Sequence, residues 1–314
     1  MTATLVTAAG SASAPAVVER LHALGHRVAA CDIYPREWNQ ACMDADAFFQ
    51  AVPASDAQAY TAQLEEAVKR EGVHYLIPLT DVEVDVLCAQ KARFAALGCT
   101  VCVPDEPCAR LCRNKLQMAQ ALERDGVCRT IPTFSPYEGA DLPFPLMLKP
   151  LHGRSSQGQA VVRGREALLS ALSTRDDYIA QPYLEGPVYT VDVARDRFGH
   201  VQALARLELL RTVNGLGTTV RMLPGHPLEG VCASIAARAG VVGVVNMEFI
   251  EHGGEYWFLE VNPRFSGGLG FSVLAGVDFP ALNLLCHAGE AIGARADARA
   301  CIITRRISPV ITAE

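Results

Sequence analysis

Two apolar strands joined by a short turn near the end of the chain constrain the fold more than any other feature. Val244, Val245, Asn246, Met247, Glu248, Phe249 and Ile250 read as one strand, and a second carries Leu259, Glu260, Val261, Asn262, Pro263 and Arg264. Side chains alternate between the faces of a strand, so Glu260 and Asn262 point the same way, and a turn at residues 252–255 brings Glu248 alongside. Acidic residues near a hairpin are usually solvated. Here both carboxylates sit among Met247, Phe249, Leu259 and Val261, and burying them without a cation would cost several kcal/mol, which favours a metal between them. Glu248, Glu260 and Asn262 make an incomplete oxygen shell of the kind hard Mg²⁺ prefers, with positions left for water and phosphate oxygens. Arg264 adds a planar fork for an anion.

With 314 residues, half of them hydrophobic, the chain is long enough for two domains or one large one. A net charge of −6 without a Lys/Arg block disfavours a nucleic-acid partner, while scattered arginines suit small anions. No apolar run of about eighteen residues suggests a membrane span, and the first residues lack a secretory pattern. Eleven cysteines then argue for reduced thiols in the cytoplasm. Those between Cys88 and Cys128 crowd together, and the pairs Cys99/Cys102 and Cys108/Cys112 invite a zinc reading. Cys99 and Cys102 lie in a strand-like stretch, where they would point to opposite faces, so core thiols are the default.

Residues 4–32 alternate strand, glycine turn, helix and strand, a βαβ unit. Only Gly10 stands where a dinucleotide turn needs three glycines, so this unit reads as scaffold with room for a small substrate at the strand ends. A helix over 57–71, a strand over 74–78, a helix over 82–97 and a strand over 100–103 extend it into a parallel sheet. Thr80 and Asp81 sit at the carboxyl edge, where open sheets place ligands, although capping the next helix is the preferred reading. Pro104 to Pro107 marks a boundary between a first domain, 1–107, and a second, 108–314, whose opening helix over 108–125 carries Lys115. A small lid over residues 130–187 follows, with strands over 145–149, 159–162 and 178–181 and a helix over 165–172. The rest alternates strands (188–194, 201–209, 244–250, 256–261) with helices (228–239, 280–291) in an α+β body.

Lys149 ends a lid strand and precedes His152, Gly153, Arg154, Ser155, Ser156, Gln157 and Gly158. Such a loop lets backbone N–H groups approach phosphate oxygens above the lysine, and an ordinary hairpin loop is the alternative. Gln181 to Pro187 forms a hinge whose backbone at Tyr183 and Leu184 can mimic a base-pairing edge for adenine, although such hinges also occur without ligands. Arg206, Arg211 and Arg221 lie over residues 204–223, with Arg211 and Arg221 flanking a glycine-containing segment, 212–219, that reads as a mobile loop at the cleft. Each arginine alone is more often a surface charge. Residues 266–270, rich in glycine, allow a backbone to approach substrate or simply turn into a helix.

A lysine in a helix, a lysine at a strand end, a Gly/Ser loop, a QPYLEG hinge, and NMEFI followed by LEVNPR together resemble the ATP-grasp superfamily, in particular its carbamoyl-phosphate-synthase-like and biotin-carboxylase-like members, over essentially the whole chain. The resemblance implies an α/β and α+β fold: a Rossmann-like pre-ATP-grasp domain followed by a two-subdomain ATP-grasp fold. It implies that Lys115 and Lys149 contact ATP phosphates and the adenine pocket, that Gly153, Ser155, Ser156 and Gly158 close over the triphosphate, and that Gln181 with the Tyr183 and Leu184 backbone holds adenine. Glu248, Glu260 and Asn262 would bind one or two Mg²⁺ or Mn²⁺, and Arg264 would hold the acyl phosphate or substrate carboxylate, with Arg211 and Arg221 as further catalytic candidates. Gln181 replaces a frequent glutamate, and its amide can still accept from an adenine amino group. The loop carries fewer glycines than the biotin-carboxylase pattern.

The implied activity is activation of a carboxylate as an acyl phosphate by ATP, then coupling to an amine, an amino acid or small peptide. A nucleotide sensor or carrier-binding protein without turnover is one alternative, against which the second carboxylate weighs. A carboxylase or carbamoyl-phosphate-type enzyme is another, and it would need partner subunits. The expected partners are small molecules and a second copy of the chain, with no nucleic acid and no membrane.

Overall fold

Apolar strands alternating with amphipathic helices close as a parallel sheet in the computed structural model, which describes residues 1–135, 142–151, 157–174 and 177–313. Gly153, Ser155 and Ser156 of the expected phosphate loop lie outside the described residues. In chain order the first unit contains β1 (Ala3–Val6), α1 (Ala14–Ala23), β2 (Arg27–Asp32), α2 (Gln40–Asp44), β3 (Ala47–Gln50), α3 (Ala57–Glu71), β4 (Val73–Ile77), α4 (Asp81–Leu87), α5 (Lys91–Ala95) and β5 (Thr100–Val101). Its strands run parallel in the order β3-β2-β1-β4-β5. Asp56 caps α3 by accepting from the Ala59 N–H at 3.1 Å, and Gly72, at φ +63°, ends it in the left-handed region that glycine enters without strain.

Two long helices expected from periodicity are broken. The one over 82–97 divides at a 3₁₀ turn over Cys88–Gln90. The one over 108–125 divides into α6 (Glu106–Arg113) and α7 (Lys115–Arg124) because Asn114, at φ −101° and ψ 97°, leaves the helical region. Its side chain caps α7 through the Gln117 N–H at 2.9 Å, and Lys115 becomes the first residue of a new helix.

A three-stranded antiparallel sheet, β7-β6-β8, follows, built from β6 (Leu146–Pro150), β7 (Ala160–Val162) and β8 (Tyr178–Pro182), with α8 (Arg165–Leu172) beside it. Leu146, Leu148, Val162, Ala180 and Leu168 of α8 form its own small core. By alternation, Lys149 and Gln181 project from the opposite face.

The body is a six-stranded antiparallel sheet made from β9 (Val188–Arg195), β10 (Val201–Arg211), β11 (Gly217–Met222), β12 (Gly243–His252), β13 (Glu255–Asn262) and β14 (Ile302–Thr304), in the order β13-β12-β9-β10-β11-β14. Between its strands the chain forms α9 (Pro227–Ala239), α10 (Leu269–Leu274) and α11 (Phe279–Ala288). The segment expected as a loop over 212–219 is shorter: Gly217, Thr218 and Thr219 already belong to β11, where Thr219 pairs with Leu210 and Thr304. One face of the sheet, with Val191, Val193, Ala205, Met247 and Phe249, packs on Leu228, Cys232 and Ile235 of α9. The other face is divided: Ala194, Leu204, Val220 and Val244 pack with α1, α10 and α11, and the remainder is polar. Burial of this seam and the Arg20–Asp278 ion pair at 2.7 Å join the first unit to the body.

No helix among the described residues is long and apolar enough to cross a membrane. All eleven cysteines are free thiols, with Cys99 and Cys102 in different cores.

Where the hinge leaves the lid, a Cβ on Gly186 would lie 1.8 Å from the Glu251 carbonyl oxygen. Gly186→Ala is expected to destabilise the protein by about 1–3 kcal/mol, the usual range for forcing atoms into a packed site. Thermal unfolding checks this, and an unchanged midpoint would show that β12 yields freely at that contact.

Candidate functional site

The polar part of the body sheet follows from strand alternation. Thr190 and Asp192 on β9, Arg206 and Glu208 on β10, Asn246 and Glu248 on β12, and Glu260 and Asn262 on β13 share the face opposite α9. Glu248 stands directly opposite Glu260, and Asn246 opposite Asn262. Between Glu248 and Phe249 the register shifts, so Leu259 has no opposite residue, and it lines the cleft together with Glu260. Such a bulge re-aims side chains beside a site. The turn closing this hairpin uses Gly253 and Gly254 at φ +61° and +78°, as a two-residue turn with both central φ angles positive requires.

A cleft of about 520 Å³ opens over this face. Its walls come from all three parts of the chain: Ser11, Ala12, Ser13, Thr80 and Asp81 from the first unit, Lys149, Gln157 and Gln159 from the lid, and the polar rows of the body. Glu248 and Glu260 keep 20% and 26% of their side-chain surface, and each faces a cation. Arg211 donates from Nη2 to Glu248 at 3.0 Å, and Lys115 Nζ lies 3.4 Å from Glu260. Burial pushes the Glu248 carboxyl up, with Arg211 opposing. Burial acts the same way on Glu260, but Lys115 and Lys149 outweigh it and hold that carboxyl below its ordinary value. Burial pushes the Lys149 ammonium down, while Glu260 supports its charge. Asn262 donates to Asn246 Oδ1 and Glu260 Oε1, both at 3.2 Å.

Arg264 leaves the end of β13 and crosses to the first unit. It donates from Nε and Nη2 to the two oxygens of Asp81 at 3.1 and 2.9 Å, and from Nη1 to the Phe265 carbonyl at 3.0 Å. Sequence reasoning preferred a capping role for Thr80 and Asp81. Thr80 does form a capping box with Glu83, while Asp81, 2% exposed, is the partner of Arg264. Arg206 is buried and donates to Asp192 at 2.7 Å, Glu208 at 3.1 Å and Ser266 at 3.1 Å. Gly268 is required there, because a Cβ would meet the Arg206 guanidinium at 2.7 Å.

The structure therefore brings together Lys115, Lys149, Arg211, Glu248, Glu260, Asn262 and Arg264. Arg221 is a correction: Val220 and Met222 on either side are buried, so alternation points Arg221 to solvent, and it does not line the cleft. Gln181 donates to Thr133 at 2.8 Å and leaves Oε1 buried without a partner. Tyr183 and Leu184 follow it, half-buried, with the Tyr183 N–H bonded to the Pro145 carbonyl at 3.1 Å. Gly158, at φ +73°, accepts from the Tyr178 hydroxyl at 2.8 Å. The hub at Arg206 and the Arg264–Asp81 bridge escaped sequence reasoning; only the position of Asp81 at a strand's carboxyl end signalled it. Among the described residues, no group of three or more His, Cys, Asp or Glu side chains converges on a metal position, so the oxygens of Glu248, Glu260 and Asn262 remain an incomplete shell.

A family model described as "ATP-grasp in the biosynthetic pathway with Ter operon" matches residues 174–309, and one described as "PylC-like, N-terminal domain" matches residues 5–102. A formate-dependent phosphoribosylglycinamide formyltransferase from Azoarcus sp. is 27% identical over 84% of this chain and 70% of its own length. The carbamoyl phosphate synthase large chain of Clostridium beijerinckii is 26% identical over 41% of this chain, and the match spans only 13% of that protein. Among solved structures, the biotin carboxylase domain of Hydrogenobacter thermophilus 2-oxoglutarate carboxylase, in complex with MgADP and bicarbonate, superposes with a TM-score of 0.75 at 18% identity, over 93% of this chain and 71% of that one. An L-amino acid ligase from Bacillus licheniformis gives 0.71 at 15% identity, over 91% and 74%. At such identities the structural likeness concerns the fold.

Asp81 supplies a test of the bridge. Burial alone would raise its carboxyl, but Arg264 and then Arg113 hold it below its ordinary value of 3.8. Its folded pKa is thus lower than its unfolded one, so the ionised form stabilises the protein above pH 3.8 and that contribution fades as pH falls toward the folded value. Asp81→Asn is expected to cost about 3–5 kcal/mol at neutral pH, as breaking one side of a buried pair does, with the gap to the unsubstituted protein narrowing in acid. Urea titrations at pH 7 and pH 3 measure it; a gap independent of pH would refute the ion-pair account.

Proposed function

We propose that this chain, a member of the ATP-grasp superfamily, is an ADP-forming ligase that activates a carboxylate as an acyl phosphate and couples it to an amine, an amino acid or small peptide. The observation that carries this reading is the pair Glu248 and Glu260, directly opposed on a cleft floor, with Lys115, Lys149 and Arg264 around them. ATP and a divalent ion fit these residues on two grounds. The donors Glu248, Glu260 and Asn262 are all oxygen, suited to Mg²⁺ or Mn²⁺ with phosphate completing the shell. Gln181 Oε1 is a buried acceptor without a partner, which an adenine amino group would satisfy.

In this reading Lys115 and Lys149 steady phosphate oxygens, and the Tyr183–Leu184 backbone with Gln181 orients the base. The bound divalent ion would neutralise charge on the terminal phosphates. Arg264, held in place by Asp81, presents its remaining donor surface to the substrate carboxylate, and Arg211 stands over the same floor. A carboxylate oxygen bonds to the γ-phosphorus as the bond to ADP breaks. The amine then attacks the acyl carbon, phosphate leaves, and the ammonium proton passes to solvent. Positioning and charge neutralisation supply most of such a rate enhancement. In the same reading Gly158 and the neighbouring Gly153, Ser155 and Ser156 close over the triphosphate, residues 1–107 form the pre-ATP-grasp domain and residues 108–314 the ATP-grasp domain, and two copies of the chain can pair as a homodimer in the cytoplasm.

Glu260→Gln is expected to lower ADP formation at least about a hundredfold, on the order of what a lost electrostatic partner of the transition state costs. A coupled ADP assay with Mg²⁺ and mixed amino acids, with circular dichroism to follow the fold, decides it. Normal turnover and unchanged Mg²⁺ dependence in the variant would sink the assignment.

A further inference from the structure

Beside the cleft lies a second cavity, about 340 Å³ in volume, at the carboxyl ends of β1, β2 and β4. That volume falls within the range of about 300–1,000 Å³ common for small-molecule pockets. The strand order β3-β2-β1-β4-β5 reverses its direction of growth between β1 and β4, and open parallel sheets leave a crevice for ligands at such a point. Ser11 and Thr80 line both spaces, so they form a shared sill between cavity and cleft. The residue after Thr80 is Asp81, which holds Arg264.

The walls restrict what can enter. Ala51, Pro53, Ala54, Val82 and the ring of Tyr60 supply apolar surface. The charged residues among the lining ones are Asp32 and Glu83, with no lysine or arginine. Both acids are already engaged: Asp32 accepts from the Gly10 and Tyr34 N–H groups at 2.7 and 3.0 Å, and Glu83 accepts from the Tyr60 hydroxyl at 2.8 Å. An anionic group would meet two carboxylates and no cation, which excludes phosphate and a second carboxylate. One polar atom on the wall is unmatched: Asn39 Nδ2 is buried and has no acceptor. A buried donor of this kind costs free energy until an acceptor meets it.

We propose that this cavity receives the side chain of the carboxylate substrate, and that this side chain is uncharged, largely apolar and tipped with a hydrogen-bond acceptor for Asn39. The inference rests on the ligase reading for the location of the reacting carboxylate at Arg264; the side chain then passes over Ser11 and Thr80. It narrows the substrate to amino acids or acyl groups with neutral aromatic or branched bodies, and it gives the first unit a role in selection rather than in nucleotide binding.

Ligand-observed NMR on the full-length protein without nucleotide, with p-cresol and isobutanol as probes, tests the cavity directly. Binding of p-cresol is expected, with at least a fivefold loss in Ala54→Phe, which fills the apolar wall, and in Ser55→Trp, which fills the mouth from an exposed position and spares the core. ADP affinity should stay within twofold in both variants. Equal p-cresol binding by the unsubstituted protein and a folded variant overturns the proposal. Probe binding needs no turnover, so its failure leaves the ligase assay unaffected, and failure of ligation leaves the cavity result in place.

Discussion

Two carboxylates placed directly opposite each other on neighbouring strands repel, and the structure holds that arrangement only because cations reach it from three directions. Lys115 comes from a helix start, Lys149 from a lid strand and Arg211 from the far end of β10. No two of these are close in sequence, so the site depends on the lid, the opening helices and the body sheet being correctly assembled. The same half-buried charges that would destabilise an ordinary hairpin make a floor on which a polyanion with its metal becomes the natural counterpart.

The division of the sheet's second face provides the physical setting. Where it is apolar it is sealed by α1, α10 and α11, and where it is polar it stays open. Arg206 lies near the border, satisfied by Asp192, Glu208 and Ser266, and Gly268 gives it room. Arg264 bonded to Asp81 then links the body to the first unit at the cleft's edge. Ordering of the arginine is thereby coupled to docking of the two units. A residue that would hold a substrate group is positioned by a carboxylate from the start of a helix in the first unit.

Much of this was legible along the chain. The period-two pattern around Glu248 and Glu260 predicted which residues share a face, and the helix over Ala57–Glu71 was readable from periodicity. The break at Asn114 was not, since an asparagine within an amphipathic run looks tolerable until its side chain is seen capping the next turn. Arg221 was misplaced for a related reason. A loop over 212–219 would leave Arg221 at the cleft's edge, but with β11 beginning at Gly217, parity alone sends that side chain outward.

Local pattern by itself determined the strand that bears the metal-type oxygens, the parallel character of the first sheet and the lysine at the end of a lid strand, because alternation and helical periodicity are properties of a few consecutive residues. Only the tertiary structure decided which cation meets which carboxylate, that Asp81 rather than solvent holds Arg264, and that a second cavity adjoins the cleft across Ser11 and Thr80. Those contacts join residues far apart in the chain, and their energies depend on burial and distance, which no local pattern encodes.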